Sequence, residues 1–104
     1  MNKKPAEQLN KDEIFEVLRR FKETKADKYK IERLGLFGSG VRDNRNKKSD
    51  IDVVVVLSKL DVLNFIGIKQ DLEEQFRCHV DVVRYREKMN PFLRKRIEKE
   101  ALYV

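Results

Sequence analysis

The sequence predicts a small α/β (α+β) domain in which a short, mixed β-sheet is flanked by helices. Two observations carry this. Short apolar, β-branched runs near residues 31–37, 51–57 and 79–85 alternate with segments whose apolar residues recur at helical spacing. The length, 104 residues, suits one compact core.

Residues 1 to 9 are polar, include Pro5 and are expected to fray, leaving residues 10–104 as a single domain. Asn10 and Glu13 have capping-box spacing, and Ile14, Val17, Leu18 and Phe21 share one helical face, so a first helix is expected from Lys11 to the mid-twenties. Ile31 to Phe37 reads as a strand ended by Gly38-Ser39-Gly40. Residues 42–49, with Arg42, Arg45, Lys47 and Lys48 among Asp and Asn, read as an exposed loop.

Ile51 to Leu57 lacks polar alternation beyond Asp52, which is the pattern of a central strand covered on both faces. Phe65, Ile68, Leu72 and Phe76 predict a second helix from about Asp61, with Gly67 as an unfavourable residue in its middle. A third strand is expected from His79 to Tyr85. Asn90-Pro91 supplies an N-cap and a first-turn proline for a last helix, whose apolar stripe is read as Leu93, Ile97, Ala101 and Val104.

Lys and Arg number 24 against 18 Asp and Glu, a net charge of +6 that favours the approach of polyanions but equally describes a solvated surface. No aromatic platform on a strand is evident, which argues against direct nucleic-acid binding. The single cysteine, Cys78, has no disulfide partner in the chain. The N-terminus lacks the apolar core of a signal peptide and no run approaches membrane-spanning length, so a cytoplasmic location is expected.

The chemistry lies in the stretch FGSGVRDNRNKKSDIDVVVVL. Asp50 and Asp52 are two residues apart at the mouth of a strand and therefore share a face. Two like charges about 4 Å apart cost on the order of 4 kcal/mol at an effective dielectric near 20, so the pair needs a cation, a shared proton or full exposure. Oxygen-only donors favour a hard ion such as Mg²⁺, which takes one or two carboxylates together with substrate phosphates. A third carboxylate, Asp81 in HVDVV, is expected on the next strand. Gly38-Ser39 offers a turn whose backbone N–H groups can meet phosphate oxygens.

FGSGVR followed by SDIDVVV, then FIGIKQDLEEQF, VDVV and NPFLRKRIEKEALYV, resembles the minimal nucleotidyltransferases of the DNA polymerase β superfamily, the MntA-type antitoxins paired with HEPN-domain toxins. The resemblance implies that Asp50 and Asp52 bind two Mg²⁺ ions, with Asp81 completing the metal site and helping to deprotonate an acceptor hydroxyl. It further implies that Gly38 and Ser39 hold the triphosphate of ATP, toward which the basic loop between the two halves of the motif can steer a polyphosphate, with Arg42 as its foremost nucleotide-binding candidate. Where the family usually shows Ala-Arg-Gly, this chain has Val41, Arg42 and Asp43, and Asn44 can take the left-handed conformation one residue later.

The activity this implies is transfer of AMP from ATP to a hydroxyl, with a tyrosine of a HEPN-type ribonuclease toxin as acceptor. A chain of this size, spent on the catalytic core, suggests that a second protein delivers the acceptor. The alternative is a non-catalytic antitoxin module that neutralises its partner by contact. His79, the only histidine, can be imagined as a general base, although no family position matches it.

Overall fold

The computed structural model describes residues 9–38 and 51–104; the start expected to fray (residues 1–8) and the basic loop lie outside them. Helix α1 spans Lys11–Tyr29, strand β1 Ile31–Phe37, β2 Ile51–Leu57, helix α2 Val62–Phe76, β3 Val80–Arg84, helix α3 Pro91–Glu100 and β4 Leu102–Tyr103. The strands form one sheet in the order β3-β2-β1-β4. β1 runs antiparallel to β2 and β4, whereas β2 and β3 are parallel.

The helix starts are specified locally. The Glu13 N–H donates to Asn10 Oδ1 at 2.8 Å and the Asn10 N–H donates to Glu13 Oε1 at 3.2 Å, completing the capping box. Asp61 accepts from the N–H groups of Leu63 and Asn64, and Asn90 from those of Phe92 and Leu93, with Pro91 in the first turn. The first helix runs further than the mid-twenties because Ala26 and Tyr29 extend its apolar face to the core. It ends at Lys30, in the left-handed conformation (φ 59°), whose N–H bonds back to Ala26.

Each face of the sheet has its own core. On one face, Ile51, Val53 and Val55 of β2, with Leu34 and Leu36 of β1, pack under Ile14, Leu18 and Phe21 of α1 and Ile68, Leu72 and Phe76 of α2. On the other, Phe37 and Val54 pack with Ile97 of α3, joined by Val83, Tyr85, Leu93 and Tyr103. β2 is therefore central and covered on both sides, as its unbroken apolar run requires. A register shift between Ile31 and Arg33 explains why Ile31 and Leu34, three residues apart, face the same core.

Gly67 has a packing reason. A Cβ there would lie 3.0 Å from Tyr29 Cε1 and 3.1 Å from its hydroxyl, so the missing side chain lets α2 close over the Tyr29 ring. The Tyr29 O–H donates to Asp71 Oδ2 at 2.5 Å, tying α1 to α2.

The last apolar stripe requires correction. Helix α3 stops at Glu100, Ala101 is extended (φ −68°, ψ 134°), and Leu102–Tyr103 pair with the outer edge of β1. Ala101 packs with Leu93 and Ile97, while Val104 reaches the core on the opposite face. The open edge of β1 decides this, because pairing satisfies its backbone: Val104 N–H donates to Leu34 O at 2.8 Å. A helical period and a two-residue strand look alike over so short a segment.

Gly35 makes the β4 pairing possible, since a Cβ there would fall 2.6 Å from the Leu102 carbonyl oxygen, a backbone atom. Gly35→Ala is expected to destabilise the fold by about 1–3 kcal/mol in chemical denaturation, through displacement of β4.

Burial, reinforced by the Asp71 carboxylate, pushes the Tyr29 phenol from its ordinary 10.0 up to about 12. The raised value means that its contribution to stability is complete below pH 10 and disappears as pH rises through about 12. Thermal unfolding of the wild type and Tyr29→Phe should show a difference that shrinks over that interval and is constant below it.

Candidate active site

The strand pairing places Asp52 opposite Asp81 in the parallel β2/β3 register and opposite Phe37 in the antiparallel β1/β2 register. Ile51 and Val53, its chain neighbours, are fully buried beneath α1 and α2, so strand alternation directs Asp52 to the face that α3 partly covers. Asp81 follows the same logic between Val80 and Val82, both packed on the α1/α2 side. Two carboxylates thus stand on one face of adjacent strands, whose backbones are about 4.8 Å apart in any sheet. Uncompensated, charges at that spacing repel by roughly 3 kcal/mol at an effective dielectric near 20.

Cationic and donor groups surround them. His79 Nε2 lies 3.2 Å from Asp81 Oδ1, and its Nδ1 lies 3.1 Å from Glu73 Oε2. The same Glu73 oxygen accepts the Val80 N–H at 3.1 Å, anchoring the start of β3 to the last turn of α2. The His79 carbonyl in turn accepts the Ile51 N–H at 3.3 Å, so the histidine's backbone is bound to the first residue of β2. His79 is half exposed, as is Asp81, which leaves this edge of the site open to solvent.

On the other side, Gly38 closes β1 with φ at +69°, a conformation that favours glycine. A Cβ at this position would meet Arg96 Nη2 and Asp52 Oδ2, each 2.6 Å away. The Gly38 N–H donates to Glu100 Oε1 at 3.0 Å, and the same oxygen lies 3.5 Å from Arg96 Nε. The amide expected to face a phosphate is therefore already bonded to a carboxylate of α3. The Arg96 guanidinium also lies over the Phe37 ring, 5.5 Å from its centroid.

Of the residues singled out from the sequence, Gly38, Asp52 and Asp81 are brought together, whereas Ser39, Arg42 and Asp50 lie outside the described residues. Glu73, Arg96 and Glu100 are additions from the fold. No sequence signal marked them: Arg96 and Glu100 form an i,i+4 charge pair of the kind that decorates any solvated helix. Tyr85 and Tyr103 both pack against the core beneath α3. The Tyr85 O–H donates to Glu98 Oε2 at 2.6 Å, which holds its phenol above the usual range.

Asp52 and Asp81 suit Mg²⁺, a hard ion that accepts one or two carboxylates when phosphates fill the remaining positions. Among the described residues no group of three or more acidic, His or Cys side chains is arranged to hold a metal. No helix of the described residues is long and apolar enough to cross a membrane.

Known proteins resemble this chain in sequence and in fold. The protein MJ0128 of Methanocaldococcus jannaschii, which bears the provisional name protein adenylyltransferase, is 34% identical over 93 residues, covering 88% of this chain and 95% of that protein. A solved structure described as a minimal nucleotidyltransferase superposes with a TM-score of 0.74 at 23% identity, covering 91% of this chain and 96% of its own. A solved complex of a tri-AMPylated Shewanella oneidensis HEPN toxin with an MNT antitoxin matches with a TM-score of 0.57 at 26% identity, covering 93% of this chain and 70% of that one. The nucleotidyltransferase domain model matches residues 18–104, which include the Gly38 turn, β2 and β3, and the chain belongs to that nucleotidyltransferase family.

Proposed function

We propose that this chain moves AMP from ATP to a hydroxyl of a partner protein, a tyrosine of a HEPN-type toxin, and thereby acts as its antitoxin. The observation that carries the reading is the side-by-side placement of Asp52 and Asp81, with the Gly38 turn next to Asp52. The acceptor class is supported by relatives named as protein adenylyltransferases and by the 26%-identical complex containing an AMPylated HEPN toxin.

In this reading Asp50, Asp52 and Asp81 hold two Mg²⁺ ions, and Asp50 is the third carboxylate that the site needs. Mg²⁺ held by these carboxylates would supply positive charge to offset the negative charge of the polyphosphate leaving group. Gly38, Ser39 and Arg42 orient the triphosphate. The acceptor oxygen attacks the α-phosphorus, the bond to the β-phosphate oxygen breaks, and pyrophosphate leaves. Asp81, half exposed on the open side, takes the proton of the hydroxyl. Rigid strands fix both carboxylates, so little reorganisation is needed when substrate arrives. The chain performs this chemistry in the cytoplasm.

Asp52→Asn is expected to lower transfer of label from α-³²P-ATP to a HEPN partner by at least about 100-fold while leaving the unfolding midpoint close to that of wild type. Retained neutralisation of the partner without label transfer in wild type would instead support action by contact alone.

A further inference from the structure

An anion already occupies the Gly38 turn, and the chain supplies it. Glu100 Oε1 accepts the Gly38 N–H at 3.0 Å across 62 residues of sequence, and Arg96 Nε lies 3.5 Å from that oxygen. Arg96 Nη2 and Asp52 Oδ2 both lie 2.6 Å from the point where a Gly38 Cβ would be, so the guanidinium stands beside both the turn and the Asp52 carboxylate. A backbone N–H presented by a positive-φ glycine, next to a guanidinium, is a cradle for a charged oxygen ligand. The Arg96 side chain is 48% exposed and that of Glu100 22%, so the cradle is reached from solvent rather than sealed in the core.

Asp52 and Glu100 each place a carboxylate close to Arg96, so a phosphate that enters meets carboxylates already gathered at the guanidinium. A phosphate brought to Gly38 beside Asp52 competes with the Glu100 carboxylate for the same N–H and the same guanidinium. We infer that Arg96 and the Gly38 N–H form a subsite for a non-α phosphate of the nucleotide, and that Glu100 is an internal carboxylate which that phosphate displaces. This assignment rests on the nucleotide-transfer reading and adds α3 to the machinery that holds the substrate. It makes affinity depend on the phosphate chain, since adenosine brings nothing that removes Glu100.

The test is equilibrium binding of ATP, tripolyphosphate and adenosine to the full chain by calorimetry, without acceptor, for wild type, Glu100→Gln, Arg96→Met and Arg96→Lys. Glu100→Gln removes the competing charge and should tighten ATP and tripolyphosphate roughly 3- to 10-fold while adenosine is unchanged. Arg96→Met should weaken both polyphosphates about 10- to 100-fold, again without effect on adenosine, and Arg96→Lys should restore part of the loss. Wild-type ATP binding that neither substitution alters, in variants with native circular dichroism, overturns the subsite and leaves the transfer reading standing. A wild-type chain that binds neither ATP nor tripolyphosphate overturns both. If Glu100→Gln fails to fold, Arg96→Met decides alone, and unchanged ATP affinity there rejects the assignment.

Discussion

The site depends on one register, the parallel pairing of β2 with β3 that sets Asp52 against Asp81. A slip of one residue would send every side chain of a strand to the opposite face, burying a carboxylate under α1 and α2 and exposing valines. The register is held from both sides. Ile51, Val53 and Val55 are locked into the core beneath the two helices, and Val54 into the core beneath α3. The hydrophobic effect thus sets the geometry of the candidate site indirectly, by making any other alignment of the acidic residues costly.

That arrangement concentrates negative charge, and the fold answers with groups from distant parts of the chain. His79 bridges toward Asp81 and Glu73 at one edge, and Arg96 approaches Asp52 and Gly38 at the other. The helices contribute through their ends and flanks: the last turn of α2 brings Glu73 to the start of β3, and the last turn of α3 brings Glu100 to the end of β1. The exposed ion pairs along α1, such as Glu16 with Arg19 and Arg20, contribute little by comparison, because water screens them.

The tail of the chain shows how packing overrides local preference. A helix continued through Ala101 to Val104 would have left the outer edge of β1 unpaired. Ending it at Glu100 lets Leu102–Tyr103 pair there, stacks the Tyr103 ring under Arg33 at 3.9 Å, and carries Val104 to the opposite core. The same termination leaves Glu100 in the helix's final turn, from which it reaches the Gly38 amide.

The sequence by itself determined the order and type of the main elements, because capping residues, helical spacing and β-branched runs are local signals. It also marked Gly38, Asp52 and Asp81 as candidates for one site, since a glycine turn and acidic strand mouths stand out against apolar surroundings. The tertiary structure decided what depends on contacts between distant residues: the bulge in β1, the fourth strand, the fit of Gly67 to Tyr29, and the placement of Glu73, Arg96 and Glu100. Charged residues on a helix carry no mark of which strand end they will meet, because that is set by how the helix packs across the sheet.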